Sequence, residues 1–338
     1  MTIELSNSSF QPVWWLPGGH LQTMWRKFSG STAVPHRRER LEIADGDFID
    51  VDWASDSLPY LQSERPIVLV LHGLCGSSGS SYVRTLQARL TEYCYPNVAM
   101  NFRGCSGELN RLARAYHSGV TEDLQAVYEQ LQDRHPDKQF VVVGFSLGGS
   151  VTLKWLGERQ PAASLLAAAA ISTPFNLQYC SHAMLTGLGQ YYGRFFLRRL
   201  VLDTEIKKQY FRQQKYTEQL EKLEACGDLR ELRSLWDFDD RVTAPLHGFA
   251  DAVDYYTRCS SQQFLSVINT PTLIVQSLDD PIIPAKSLPP ADRINNNIHV
   301  EISPRGGHVG FISSTDRFWL EHQVIRFLQG LPGGTESD

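Results

Sequence analysis

Short apolar runs punctuate the chain, and helical spacing fills the gaps between them. Ile67-Val68-Leu69-Val70-Leu71 and Phe140-Val141-Val142-Val143 are unbroken, the pattern of strands buried on both faces of a parallel sheet. Further strands are predicted over residues 97–102, 167–171, 272–276 and 298–302. Between them, residues 82–90 read as a helix, and Val120, Leu124, Val127 and Leu131 recur at helical intervals. A last helix is expected over 316–328. Residues 40–43 and 48–53 flank Ala44-Asp45-Gly46-Asp47, a turn-forming sequence, and predict an antiparallel hairpin ahead of the parallel strands. Strands alternating with helices imply a mostly parallel, doubly wound α/β sheet with helices on both faces.

The pattern changes between about residues 174 and 264. There the strand signal vanishes, and residues 193–235 are rich in Arg, Lys, Glu, Gln and Leu. This stretch reads as a helical insertion after the sixth strand, placed to cap whatever lies at the sheet's edge. The expected organisation is an N-terminal arm (1–36), a core (37–173 and 265–330), the helical cap (174–264) and a flexible tail (331–338).

Composition narrows the chemistry. The chain has 338 residues, a net charge of -5 and 42% hydrophobic residues. That is ample for a large core, and no basic run offers a footprint for nucleic acid. Residues 1–10 lack a charged start followed by an apolar run, so no signal peptide is expected. The apolar stretch Leu165–Ile171 is too short to span a bilayer. A soluble cytoplasmic protein is the expectation. The six cysteines form no C-x-x-C pair, which argues against a disulfide framework and a zinc site.

The strongest chemical signal is Gly144-Phe145-Ser146-Leu147-Gly148. A buried strand precedes it and a helical stretch follows, the context that a G-x-S-x-G motif needs. The glycines serve a turn so tight that neighbouring β-carbons would clash, which lifts the Ser146 hydroxyl clear of the sheet. A small-residue turn of the nucleotide-binding kind is the competing reading. A serine hydroxyl needs a base, and the base an orienting acid. The strand at 272–276 runs into Asp279-Asp280-Pro281-Ile282-Ile283-Pro284. Asp280 is the expected acid because the Asp-x-apolar-apolar-Pro run begins there, with Asp279 a close rival; either could instead serve as a turn residue. The strand at 298–302 leads through Gly306-Gly307 to His308, the expected base. His20, His72 and His117 compete, but none follows the acid. Two backbone donors are needed for the oxyanion. The N–H of Leu147 and that of Leu74, in the loop His72-Gly73-Leu74-Cys75-Gly76, are the candidates.

With these residues in hand, the chain resembles the YheT-like branch (AB-hydrolase-4 type) of the α/β-hydrolase fold. The resemblance covers nearly the whole length. It rests on Pro12-Val13-Trp14-Trp15 with Gly19-His20-Leu21-Gln22-Thr23, on Asn101-Phe102-Arg103-Gly104, on Phe238-Asp239 through Gly248-Phe249 to Asp254-Tyr255-Tyr256, and on Gly307-His308-Val309-Gly310-Phe311. It implies hydrolysis of short- or medium-chain carboxylic esters, with a small-molecule ester as partner. Acylglycerol and phospholipid lipases and fatty-acyl ethyl-ester enzymes are among the eukaryotic members. The chemistry requires no metal or organic cofactor. Transfer of the acyl group to an alcohol is the first alternative; a hydrolase-derived binding protein that no longer turns over is the second. A serine rather than an acid at the elbow disfavours dehalogenase chemistry.

Three features stay open at this level. The segment 19–23 either packs the arm near the pocket or caps a helix. Arg103 pairs with Asp123 or Glu122, or else meets an acidic substrate. Trp14, Trp15, Trp236, Tyr255 and Tyr256 line an acyl pocket or belong to plain core.

Overall fold

The computed structural model describes residues 8–28, 32–161 and 164–331. Eight strands form one sheet in the order β1-β2-β4-β3-β5-β6-β7-β8. They are β1 (His36–Glu42), β2 (Phe48–Ala54), β3 (Ile67–Leu71), β4 (Asn97–Met100), β5 (Phe140–Phe145), β6 (Leu165–Ile171), β7 (Thr272–Ser277) and β8 (Ile298–Ser303). Pairing is antiparallel in β1·β2 and β2·β4 and parallel elsewhere.

The apolar runs are continuous because both faces of the sheet are covered. Leu69, Leu71, Val142 and Ala168 point into one core, and Val68, Val70, Val141 and Ala167 into the other, the period of two that a strand imposes. Helices α3 (Thr121–Arg134) and α4 (Leu147–Arg159) close the first face. Helices α2 (Ser81–Glu92) and α11 (Trp319–Gln329) close the second. The last helix starts three residues later than its periodicity predicts. Asp316 instead lies ahead of it, accepting from Phe318 N and contacting His322 Nδ1.

The hairpin forms where its turn residues place it, but β1 begins earlier, at His36. Its polar sequence is that of an edge strand. Arg38 and Arg40 each fork onto the opposite residue of β2, Asp52 and Asp50. Burial favours neutral Asp52, but bonds from Arg38, Ser78 and Asn101 outweigh it and hold the carboxyl down at about 2.

The chain between β6 and β7 is helical. It carries α5 (Leu177–Ala183), the long α6 (Gly189–Gln214), α7 (Thr217–Glu224), α8 (Leu235–Phe238), a π-helical turn (Asp239–Thr243), α9 (Ala244–Leu246) and α10 (Ala252–Cys259). A helix whose extent was not predicted, α1 (Gly19–Phe28), lies ahead of the sheet and includes the segment 19–23. Residues 1–7, where a leader was sought, and 332–338 of the expected tail lie outside the described residues, whereas Leu331 packs into the core. Among the described residues, no helix is long and apolar enough to cross a membrane.

Candidate active site

Sheet order explains how distant residues meet. The chain passes from β3 to β4 on one side and returns to β5 on the other, so β3 and β5 are neighbours, with Leu71 opposite Gly144. A crevice opens at the carboxyl ends of strands where the order reverses. The loops after β3, β5, β7 and β8 all converge there.

Ser146 sits between β5 and α4 with φ 51° and ψ -117°, a conformation that costs an L-residue energy and persists only where its surroundings enforce it. Its N–H donates to Ile171 O at 2.8 Å. A β-carbon on Gly144 would collide with the backbone of Gly148, and one on Gly148 would lie 2.7 Å from His72 O. The elbow is therefore closed to larger residues at both positions.

His308 Nε2 lies 2.9 Å from Ser146 Oγ, and His308 Nδ1 lies 2.8 Å from Asp280 Oδ2. Asp280 is buried, and its other oxygen accepts from the N–H groups of Ile282 and Ile283. The rival acid is used differently: Asp279 Oδ1 accepts from Gly307 N at 2.9 Å. Hydroxyl, imidazole and carboxylate thus touch in series through Asp280.

The Leu74 loop is held from both sides. Gly73 N donates to Tyr82 Oη at 2.9 Å and Cys75 N to Tyr116 Oη at 2.8 Å. Among the described residues, the N–H groups of Leu74 and Leu147 have no hydrogen-bond partner. Leu147 is the first residue of α4, where the helix dipole favours negative charge. His72 is a brace: Nε2 accepts from Phe102 N, Nδ1 lies 2.7 Å from Gly73 O, and burial pushes the imidazole down to about 4. His117 is likewise buried and held well below the usual range by desolvation, then by His247 beside it.

The segment 19–23 turns out to brace the imidazole loop. Thr23 Oγ1 accepts from His308 N at 2.8 Å and donates to Gly19 O. Gln22 Oε1 accepts from Ile312 N. Gly307, at φ 63°, has no room for a β-carbon because Gly19 O and Thr23 Oγ1 press against it. His20 Nδ1 lies 3.1 Å from Tyr192 Oη and stacks on that ring, joining α1 to α6. Arg103 is not at the site. It is buried, forked onto Asp123, and reaches Asp45 and Asp47; Glu122 pairs with Arg114 instead.

Two chambers flank Ser146. The inner one, about 100 Å³, lies beneath α5 and α8 and is walled by Leu177, Cys180, Phe238, Asp239, Tyr255 and Tyr256 among others. The outer one, about 920 Å³, lies between α1 and α6, with His308, Tyr82, Met24, Leu188, Tyr191 and Phe195 on its walls. Of the five aromatic residues weighed for a pocket, Tyr255 and Tyr256 line the inner chamber. Trp236 packs behind Tyr256 and His182, while Trp14 and Trp15 are exposed and line neither chamber.

Comparison with known proteins agrees with this architecture. The family model for the alpha/beta hydrolase fold matches residues 66–315. The chain belongs to the α/β-hydrolase fold family. Within it, this hydrolase falls in the YheT-like branch. It is 35% identical to YheT, a candidate esterase of Escherichia coli, over 96% of this chain and 94% of that one. It is 30% identical to the mouse (Mus musculus) phospholipase ABHD3 over 90% of this chain and 73% of that one. Among solved structures, the Pyrococcus furiosus esterase Pf2001 aligns at a TM-score of 0.56 and 16% identity, covering 89% of this hydrolase and 97% of that chain; this likeness is one of fold.

Sequence reasoning singled out the segment 19–23 without assigning Thr23 its bond to His308 N, and missed the roles of Tyr82 and Tyr116. Each acts through one hydrogen bond to a loop remote in sequence, and a single Thr or Tyr carries no local signature of that.

Proposed function

We propose that this hydrolase is a serine carboxylic-ester hydrolase working through an acyl-enzyme, with residues 174–264 as the cap over its site. The observation that carries the reading is the unbroken Ser146–His308–Asp280 series, at 2.9 and 2.8 Å. His308 Nε2 takes the Ser146 proton as Oγ attacks the ester carbonyl. The carbonyl oxygen gains negative charge between the Leu74 and Leu147 N–H groups. Collapse breaks the bond to the alcohol oxygen, which leaves with the proton from His308. Water, deprotonated by the same imidazole, then attacks the acyl-enzyme and releases the acid. Asp280 holds the imidazole in the tautomer this needs.

The same reading divides the substrate into two halves. The leaving oxygen must sit beside the imidazole that protonates it, and His308 faces the outer chamber. The alcohol portion therefore occupies the large chamber, and the acyl chain the small inner one. A short- or medium-chain acyl group on a bulky alcohol fits that division. The names of the relatives, an esterase and a phospholipase, point the same way. The outer chamber would also admit an alcohol in place of water, so products formed with added ethanol distinguish hydrolysis from acyl transfer.

Ser146→Ala should lower turnover of p-nitrophenyl butyrate by about 10⁶-fold and abolish labelling by a fluorophosphonate probe. Undiminished turnover in the pure variant would refute the assignment.

A further inference from the structure

Helix α6 turns a large apolar stripe to solvent. Tyr191, Phe195, Leu202 and Ile206, with Leu188 just ahead of the helix, are all exposed; Tyr191 is 66%, Leu188 57% and Leu202 51% accessible. At 100° per residue these five positions fall within about 60° of one another, so they form one stripe. Contiguous apolar surface of this kind on a water-soluble face marks an interaction site. Three of the five, Leu188, Tyr191 and Phe195, wall the outer chamber, so the stripe begins at the mouth of the site. Across that mouth, α1 offers Leu21, Met24 and Trp25, all exposed; Trp15 packs edge-on against Trp25 at 4.7 Å, and Trp14 is 89% accessible.

Three arginines lie beside the stripe, with Asp203 and Glu205 further along the same helix. Arg194, Arg198 and Arg199 flank it and line a hollow with Tyr191, Phe195 and Leu202. Arg199 pairs with Asp203, whereas among the described residues Arg194 and Arg198 form no ion pair. A chain of net charge -5 is repelled as a whole by an anionic surface, so a local arginine group would act chiefly to orient it. Apolar stripe, flanking arginines and exposed tryptophans together match the demands of the bilayer interface, where apolar rings and chains enter the acyl boundary and guanidinium groups meet phosphates.

We propose that the α1–α6 face docks on anionic phospholipid bilayers and opens the outer chamber toward them. A protein partner seated here would cover the chamber's mouth; a bilayer would supply esters to it. The delivery role rests on reading that chamber as the alcohol side of an ester site, while the docking itself can be measured without turnover.

The test is co-sedimentation of purified Ser146→Ala protein with vesicles of phosphatidylcholine alone and of phosphatidylcholine and phosphatidylglycerol in equal parts. Binding should favour the anionic vesicles and weaken with salt. It should fall roughly tenfold or more on adding Arg198→Glu, through the charge term, or Leu202→Asp, through the apolar one. In the Ser146 background both variants should keep the native melting temperature and native p-nitrophenyl butyrate turnover, which excludes misfolding as the cause. Three results would overturn the proposal: no binding to either vesicle, binding that neither variant weakens, or a stable dimer that Leu202→Asp converts to monomer, since the stripe would then be covered by a second copy. Survival of turnover in Ser146→Ala would instead remove the ester reading and leave the sedimentation result unchanged.

Discussion

The carboxyl edge of the sheet and the helices above it hold their shapes by different means. At the edge, backbone groups do most of the fixing. Ser146 N is bonded to Ile171 O, His308 N to Thr23, Gly307 N to Asp279, and Val309 N to Ser172 Oγ. Several residues there, among them Ser146, Ser172, Val309 and Phe311, take positive φ. Above the edge, α6, α8 and their connections pack through side chains such as Leu197, Leu229, Leu235 and Phe238. Backbone-fixed loops keep reacting atoms within a few tenths of an ångström, as proton transfer demands. Side-chain packing tolerates exchange of one apolar residue for another, which would suit the substrate-selecting role proposed for this region. The lesson is that this hydrolase separates what must not vary from what can.

That contrast can be broken most sharply at the acid. Asp280→Asn should lower kcat by about 10⁴-fold, because an amide stabilises the wrong imidazole tautomer. Asp279→Asn should cost less than roughly tenfold, because the amide oxygen still accepts from Gly307 N. Steady-state kinetics on both variants would separate them, and equal losses would blur the two roles. Moving to the packed side, Leu177→Phe should narrow the inner chamber. The ratio of octanoyl to acetyl ester kcat/KM is expected to fall by roughly 10- to 100-fold, read from a p-nitrophenyl ester panel. No change in that ratio would mean that the acyl chain lies elsewhere.

Thr23→Val tests the edge again, with a smaller effect. It leaves the His308 N–H without its acceptor, and we expect roughly a tenfold fall in kcat with KM little changed. Thr23→Ser should restore the native rate, since the hydroxyl is what the loop uses.

The last effect is on stability rather than rate, and concerns Asp239 in the π-helical turn of the inner wall. Burial pushes its carboxyl up to about 6, against partial compensation from Tyr256 Oη and Thr243 Oγ1. An unfolded Asp ionises near pH ~4. The stability this group contributes is therefore fully present below about pH 4 and is lost as pH rises through about 6. Asp239→Asn should remove that loss. Relative to the native protein, the variant should gain on the order of 2 kcal/mol between pH 4 and 6, measured by denaturant melts at each pH.

Much of this was legible beforehand, for reasons tied to particular residues. Val141 and Val142 face opposite cores, so the strand shows as an unbroken apolar run. Gly144 and Gly148 are required by contacts within a few residues of themselves or with the adjoining strand β3, and so travel with Ser146 as a motif. Asp280 stood out from Asp279 because its carboxylate caps the turn at Ile282 and Ile283, a local role with a local pattern. The exposed stripe of α6 was hidden in a segment that read only as helical and charged. Periodicity reveals an apolar face but not whether that face is covered.

The sequence by itself determined the sheet's strands, the serine elbow and the chain order of the proposed reacting groups, because each depends on interactions among neighbours in sequence or on a strand's two-residue period. Tertiary structure alone decided that Thr23 and Gly19 brace the His308 loop, that Arg103 belongs to a buried ion network with Asp123, and that Ser146 stands between a small and a large chamber. Those outcomes depend on distances between separate segments, 20 residues apart for Arg103 and Asp123 and 285 for Thr23 and His308, which are set by how the strands are ordered in the sheet and how the helices pack over it.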